Sequence, residues 1–225
     1  NGWNGERSIF LMNDTAGFQN YAKISIGNDL QSICVDQATG LVYVAGADGR
    51  IAKMNSSFQQ QGNGYELRTN GVGDTIRALR VVGDVLYAQT QGGNYSSLIA
   101  MNKTTFAILW SKKFSSVEMR AFNTSEPLGN DANSISLNLY GNASQAIQLH
   151  IPLDGSGLAS SYTNGTRTVN IAAATSTLNG SYNLLSGQSI YAFMTNVANN
   201  AGMSTTGTNV YTQSNVALTD TYIAI

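Results

Sequence analysis

The chain has 225 residues and a formal charge of −1, and only 11% of its residues are charged, so neutral amides and hydroxyls must solvate most of its surface. Lys112-Lys113 is its only adjacent pair of cations, which argues against nucleic acid and anionic membrane as partners. No apolar run approaches the roughly 18 residues needed to span a bilayer, so membrane insertion is not expected.

Short alternating or β-branched runs bounded by Gly, Asn, Asp and Ser recur along the chain, and helical periodicity is hard to find. This pattern predicts an all-β protein. Strands at Ile9–Asn13 and Tyr21–Ile26 come first, and we interpret them as the last two strands of a unit. The first strands of later units are predicted at Leu30–Asp36, Ile76–Val82, near Val117–Asn123 and near Val169–Ala174.

A turn followed by a short apolar strand occurs four times. It reads Thr39–Val44, Gly83–Ala88, Asn133–Leu139 and Gly187–Ala192. Aligning Tyr43, Tyr87, Ser136 and Tyr191 gives spacings of 44, 49 and 55 residues. Such spacings are near the length of a four-stranded propeller blade.

A second recurring element is an apolar strand that ends in Asn or Asp. An Asx side chain at that position can bond the downstream backbone N–H and close a hairpin into the next strand. Outer strands are predicted a few residues later, beginning at Tyr21, Tyr65, Ile108 and Ser161. The four Asx residues, spaced 42, 47 and 52 apart, are Asn13, Asn55, Asn102 and Asp154.

Together these elements predict a β-propeller-like array of four-stranded antiparallel blades, either incomplete or completed by a neighbouring chain. We interpret residues 1–225 as a single propeller or propeller segment. Its predicted parts are blade remnants over 1–28, blades over about 29–70, 71–116 and 117–169, and a partial blade over 170–225.

The stretch from Ala100 to Trp110 resembles the repeat of pyrroloquinoline-quinone-type propellers, Ala-x-Asp-x-x-Thr-Gly-x-x-x-Trp. Asn102 stands in place of the Asp and Phe106 in place of the Gly. The segments Thr39–Asn55, Asp84–Trp110 and Gln145–Tyr162 also resemble the propeller repeats of extracellular and surface proteins. The resemblance implies a fold, with Trp110 packed between blades, and it carries over no cofactor residue.

Sequons for N-linked glycans are more frequent than composition alone explains. Eight are present, against about 4.6 expected from the Asn, Ser and Thr content. Most follow a predicted strand or lie in a predicted turn, where a glycan does not disturb packing. They predict an extracellular or cell-surface glycoprotein and lie at Asn13, Asn55, Asn94, Asn102, Asn123, Asn142, Asn164 and Asn179.

Residues able to perform catalysis are scarce. The only His, His150, is predicted on a strand surface, and the only Cys, Cys34, is predicted as a small buried core residue. A zinc site needs three or four ligands that one Cys and one His do not supply. The sequence therefore predicts no catalytic, cofactor-binding or metal residue and no enzyme. Calcium alone stays open, with candidate loops at Asn28-Asp29, Asn130-Asp131 and Asp154–Gly157.

The apolar segment Tyr222-Ile223-Ala224-Ile225 is predicted to be an assembly edge. A strand without a neighbour exposes backbone N–H and C=O groups and invites another chain. The leading hypothesis is thus a structural or adhesive scaffold that self-associates by strand completion in a surface or filamentous assembly. Two alternatives stay open: a propeller enzyme or carbohydrate-binding module with a central-funnel site, and a β-sandwich filament subunit joined by strand donation.

Overall fold

Antiparallel β-strands make up the architecture of the computed structural model, which describes residues 9–13, 20–25, 30–56, 59–93, 95–115, 128–140, 146–164, 167–182 and 185–186. The one helical element in these ranges is a single 3-10 turn, Ala47–Gly49. Within them, no helix is long and apolar enough to cross a membrane. The predicted all-β class is confirmed.

Four sheets contain all seventeen described strands. Sheet I has the order β1-β2-β17, with β1 Ile9–Asn13, β2 Asn20–Ser25 and β17 Leu185–Ser186. Sheet II has the order β3-β4-β5-β6-β16, with β3 Leu30–Asp36, β4 Leu41–Gly46, β5 Arg50–Met54, β6 Gly64–Thr69 and β16 Ser176–Tyr182.

Sheet III is the widest of the four. Its order is β7-β8-β9-β10-β15-β14, with β7 Thr75–Val82, β8 Val85–Gln91, β9 Tyr95–Asn102, β10 Ile108–Ser115, β14 Ser161–Asn164 and β15 Arg167–Ala173. Sheet IV has the order β11-β12-β13, with β11 Gly129–Asn130, β12 Ser134–Tyr140 and β13 Ala146–Pro152.

Sheets II and III each begin as a meander of four consecutive strands, and every connection except the longer one between β5 and β6 has five residues or fewer. Gly40 and Gly83 supply two of those turns, and their φ values of +71° and +57° favour glycine. The middle strands β8 and β9 are buried over most of their length. Sheet III is therefore covered on both faces.

Two apolar clusters join three of the sheets face to face. One contains Tyr43 and Leu67 of sheet II together with Leu86 and Ile99 of sheet III. The other joins the opposite face of sheet III to sheet IV, through Tyr87, Leu98, Phe114, Ile135 and Leu137. Sheet III thus lies between sheets II and IV.

The first strands of these three sheets meet along one edge of the stack. β7 lies against β3 and β4. Arg77 Nη1 on β7 donates to Gln31 Oε1 on β3 at 2.8 Å, and Arg80 Nε donates to Asn130 Oδ1 on β11 at 2.8 Å. We call this side the inner edge.

At the opposite side, which we call the rim, the pairing differs from the prediction. The strand at Ser161 was predicted to be the outer strand of the third blade, but β14 pairs with β15 in sheet III. The strand near Val169 was predicted to start a new blade, but β15 pairs with β10, and β16 pairs with β6. These strands extend existing sheets because β10 and β6 offered open backbone edges.

Most other predicted strands are confirmed within a residue or two. Trp110 packs against the cluster shared by sheets III and IV, with Nε1 donating to Leu153 O, just after β13, at 3.1 Å. The predictions at Val117–Asn123, Gly187–Ala192 and Tyr222–Ile225 lie outside the described residues.

Candidate functional site

A cleft of about 320 Å³ opens at the inner edge between β3 and the β7–β8 hairpin. It brings a carboxylate, a thiol and a guanidinium together beside apolar side chains in a concave surface. A few polar groups in a concavity are one feature of small-ligand sites. The residues that line it are Cys34, Val35, Asp36, Gln37, Ala38, Arg80, Val81 and Gly83.

The carboxylate of the cleft is already engaged. Asp36 is buried, and its Oδ2 lies 2.9 Å from Lys103 Nζ and accepts from Thr39 Oγ1 at 2.7 Å, while Oδ1 accepts from Ala38 N at 3.1 Å. Burial alone raises the pKa of Asp36, but the bonds from Thr39, Lys103 and Ala38 outweigh it and hold that pKa below its ordinary value. Asp36 is therefore a fixed anion that ties sheet II to sheet III.

Cys34 differs from its predicted role. It is half-buried, packs against the apolar cluster that sheets II and III share, and also lines the cleft, so it fits the predicted buried core position only in part. Burial raises the pKa of its thiol, and the thiol form is a poor nucleophile. Arg80 is the exposed cation of the cleft. These groups suit the binding of a small polar ligand better than acid–base or nucleophilic chemistry.

His150 lies on the exposed face of sheet IV, as predicted, among three polar groups. Its Nδ1 is 3.4 Å from both Ser134 Oγ and Ser136 Oγ and 3.8 Å from Asp131 Oδ2. A catalytic triad places the serine and the aspartate on opposite imidazole nitrogens, whereas here all three groups face Nδ1. Ser134 Oγ also donates to Asp131 Oδ2 at 2.7 Å, so the arrangement is a turn beside a surface histidine.

The two described calcium candidates are occupied by their own turns. Asp131 accepts from Asn133 N, Ser134 N and Ser134 Oγ. Asp154 accepts from Ser156 N and Ser156 Oγ. Among the described residues no three His, Cys, Asp or Glu side chains group in a way that could hold a metal. Asn28-Asp29 lies outside the described ranges.

Asn55 and Asn102 close turns into the strand that pairs next, as predicted. Asp154 also closes a turn, but the strand after it, β14, pairs in sheet III and forms no hairpin with β13. Asn102 Oδ1 accepts from Thr104 N and Thr105 N, both at 2.9 Å. Phe106, which stands where the resembling repeat has Gly, has a φ of +61°. Its ring is buried and makes edge contacts with Tyr43 and Tyr65. The turn thus combines a backbone form that favours glycine with an aromatic side chain that fills the core.

The predicted sequons fall mainly at strand ends. Asn13, Asn102 and Asn164 are the last residues of β1, β9 and β14, and Asn55 directly follows β5. Asn179 lies within β16, where it is exposed. Glycan occupancy stays a prediction at all eight positions, of which Asn94, Asn123 and Asn142 lie outside the described residues.

β13 forms an open edge of sheet IV among the described strands. Leu153 N donates to Asn133 O, next to the register pair Pro152 and Ser134. Bonding direction alternates along an antiparallel strand, so the N–H and C=O groups of Gln148 and His150 point away from β12. Their side chains are exposed, whereas Leu149 and Ile151 are buried. β13 therefore presents a backbone edge ready to accept another strand.

Neither a protein-family model, nor a curated protein, nor a solved structure matches this chain. The class that can be stated is an all-β protein of stacked antiparallel sheets. Its candidate sites are the inner cleft and the open β13 edge. Sequence reasoning missed both, although aligning the first strands Leu30–Asp36 and Ile76–Val82 as neighbours would have placed Arg80 near Cys34.

Proposed function

We propose that the chain is a non-enzymatic structural or adhesive subunit of an extracellular surface or filamentous assembly, with a propeller-like stack of sheets that are completed edge to edge. The observation that carries this proposal is the rim. Three sheets are each extended there by a strand from the C-terminal part of the described chain, namely β15, β16 and β17. β13 offers the same kind of edge.

The stacking supports a propeller-like arrangement over a β-sandwich. A sandwich packs two sheets, whereas here sheet III is packed on both faces. Consecutive meanders and first strands gathered at one inner edge are features of propeller blades. The rim strands depart from the simple four-stranded blade, and they give each sheet an extra or substitute outer strand.

Assembly can be tested directly on the purified chain. Sedimentation velocity over a range of concentrations, followed by negative-stain electron microscopy, is expected to show oligomers or fibres of regular width. Intact mass before and after enzymatic deglycosylation of natively produced protein is expected to show N-linked glycans. A chain that stays monomeric at every concentration would contradict the structural role, and a native mass without glycan would contradict the extracellular glycoprotein.

The cleft favours a second candidate function, the binding of a small acidic carbohydrate. Arg80 is its exposed cation, and guanidinium groups recognise carboxylates by paired hydrogen bonds. Titration with a uronic acid, followed by NMR or calorimetry, should show saturable binding that Arg80→Ala abolishes. Arg68→Ala is the matched control, because Arg68 pairs with Glu66 on β6, away from the cleft. Equal loss in both variants would reject the cleft as the site.

A further inference from the structure

The rim strands follow an order that runs against the order of the sheets. Along the chain, sheets I to IV begin in succession. The segment after residue 160 then adds strands β14 and β15 to sheet III, strand β16 to sheet II and strand β17 to sheet I. Each step moves one sheet backwards.

The connections between these steps are themselves bonded to the rim. Between β15 and β16, Ala174 N donates to Ser111 O at 3.2 Å and Ser111 Oγ donates to Ala174 O at 2.6 Å. Asn70 N donates to Thr175 O at 2.7 Å. The chain is therefore bonded to the edge of sheet III and to the edge of sheet II as it passes between them. These bonds fix the order in which the segment pairs with the sheets.

Continued beyond sheet I, this direction reaches no earlier sheet among the described residues. In a head-to-tail stack of copies, the sheet that precedes sheet I is sheet IV of the next copy. Its outer strand is β13, whose outward groups at Gln148 and His150 face away from β12. The open edge thus lies where the backward course of the rim segment leads.

The chain after Ser186 contains a sequence suited to that edge. Tyr222-Ile223-Ala224-Ile225 has no charge and no Pro, and it puts Ile223 and Ile225 on one face of an extended strand. Added to β13, that face continues the row formed by buried Leu149 and Ile151. Backbone bonds supply affinity in such strand addition, and the alternating side chains supply specificity.

We propose that β13 is the acceptor edge for residues 222–225 of a second copy of this chain. The inference rests on the proposed role as an assembling subunit and names the surface through which the copies assemble. Sheet IV of one copy is completed by the neighbour in the way that sheets I, II and III are completed within the chain.

Directed cross-linking of two different variants tests the contact. Both carry Cys34→Ser; one adds Gln148→Cys and the other Ala224→Cys, because residue 224 shares the exposed face of Gln148 when Ile223 and Ile225 continue the buried row. A short bis-maleimide linker is expected to join them into a dimer when the two are mixed, and peptide mass spectrometry should place the link between positions 148 and 224. A chain carrying both changes gives a ladder of oligomers when concentrated. A link formed within one chain at high dilution would overturn the proposal.

Proline substitution tests whether the edge drives assembly. Gln148→Pro removes a donor that faces away from β12, so sheet IV keeps its own bonds. One lost backbone bond is worth about 1 kcal/mol, which raises the concentration needed for assembly roughly fivefold to tenfold. Ser161→Pro is the matched control, since Ile171 N donates to Ser160 O and Ser161 faces outward on the edge strand β14. Circular dichroism and thermal unfolding check that both variants fold.

The outcomes separate the two proposals. If the parent chain assembles, but no 148–224 link forms and Gln148→Pro assembles normally, the acceptor assignment is overturned and the structural role stands. Equal weakening by Ser161→Pro also overturns it, because the effect is then not particular to β13. If the parent chain never assembles, the proposed function fails and this inference fails with it.

Discussion

Sheets III and IV are built by the same rule but differ in how they end. Each is a run of consecutive antiparallel strands, and the two share one apolar cluster. In sheet III, β15 and β14 continue past β10, whereas sheet IV stops at β13 among the described strands. The comparison teaches that a sheet in this molecule is completed by whichever strand reaches its rim, and that sequence neighbours supply only part of it.

The largest expected loss of stability comes from the apolar cluster that sheets III and IV share. Phe114 on β10 is fully buried in that cluster, so Phe114→Ala should lower the free energy of unfolding by about 3–5 kcal/mol. Leu109→Ala on the same strand is the control, because Leu109 is 55% exposed. Urea denaturation measures both. Similar losses in the two variants would show that sheet III does not depend on this packing.

The next effect concerns the turn that leads from sheet IV back to sheet III. Gly155 has a φ of +69°, and a Cβ there would lie 2.7 Å from Cδ2 of Trp110. Gly157 has a φ of +65° with open space around it. Gly157→Ala should therefore cost only the left-handed penalty of about 1–2 kcal/mol, and Gly155→Ala about 1–3 kcal/mol more from overpacking. Thermal unfolding that ranks Gly157→Ala as equal or worse would contradict this contact.

The dependence of stability on pH tests the contact between sheets II and III. The folded pKa of Asp36 is lowered, so the stability it contributes is present above its unfolded pKa and is lost as pH falls through the folded value. The raised pKa of Lys103, due first to its bond with Asp36, gives stability that is lost as pH rises through the folded lysine value.

Asp36→Asn should therefore flatten the acid limb of the stability curve, as measured by urea denaturation at a series of pH values. Asp84→Asn is the control. Asp84 lies 3.5 Å from the same ammonium but is almost fully exposed, so solvent screens the pair. An unchanged acid limb in Asp36→Asn would show that the pair does not link sheets II and III energetically.

The smallest expected effect is a gain in the free energy of unfolding. Thr90 on β8 is fully buried, and its Oγ1 has no hydrogen-bond partner among the described residues. Thr90→Val keeps the shape and removes the unsatisfied hydroxyl, which should raise the free energy of unfolding by about 1 kcal/mol. Thr177→Val on exposed β16 should change it by less than about 0.5 kcal/mol. A loss of stability in Thr90→Val would mean that this hydroxyl is hydrated in solution.

Local features of the fold were predictable from the sequence because they depend on local chemistry. Turn residues placed the hairpins, and Asn102 closes its turn with the side-chain bonds expected of an Asx residue. Alternation did not settle Cys34. In Ile33-Cys34-Val35 all three side chains are apolar, and the structure exposes Val35 by 53% while Cys34 faces the cleft.

The rim could not be predicted because strand pairing uses backbone groups that every residue shares. Nothing in the side chains of Lys112–Ser115 specifies pairing with residues 170–173. The inner cleft was hidden for a related reason, since Asp36 and Arg80 meet only after sheets II and III have stacked. Both candidate sites therefore form only through long-range strand pairing and sheet stacking. The sequence pattern predicts the strands from which they are built.

Amide hydrogen exchange at the rims of the two sheets tests the central claim most directly. The pairing of Ser111 with Ala174 makes the amide of Lys113 face β15, so it should be protected in dilute monomer. The amides of Gln148 and His150 should exchange quickly there and become protected in the assembled protein. Protection of Gln148 and His150 already in the dilute monomer, or none after assembly, would contradict the account.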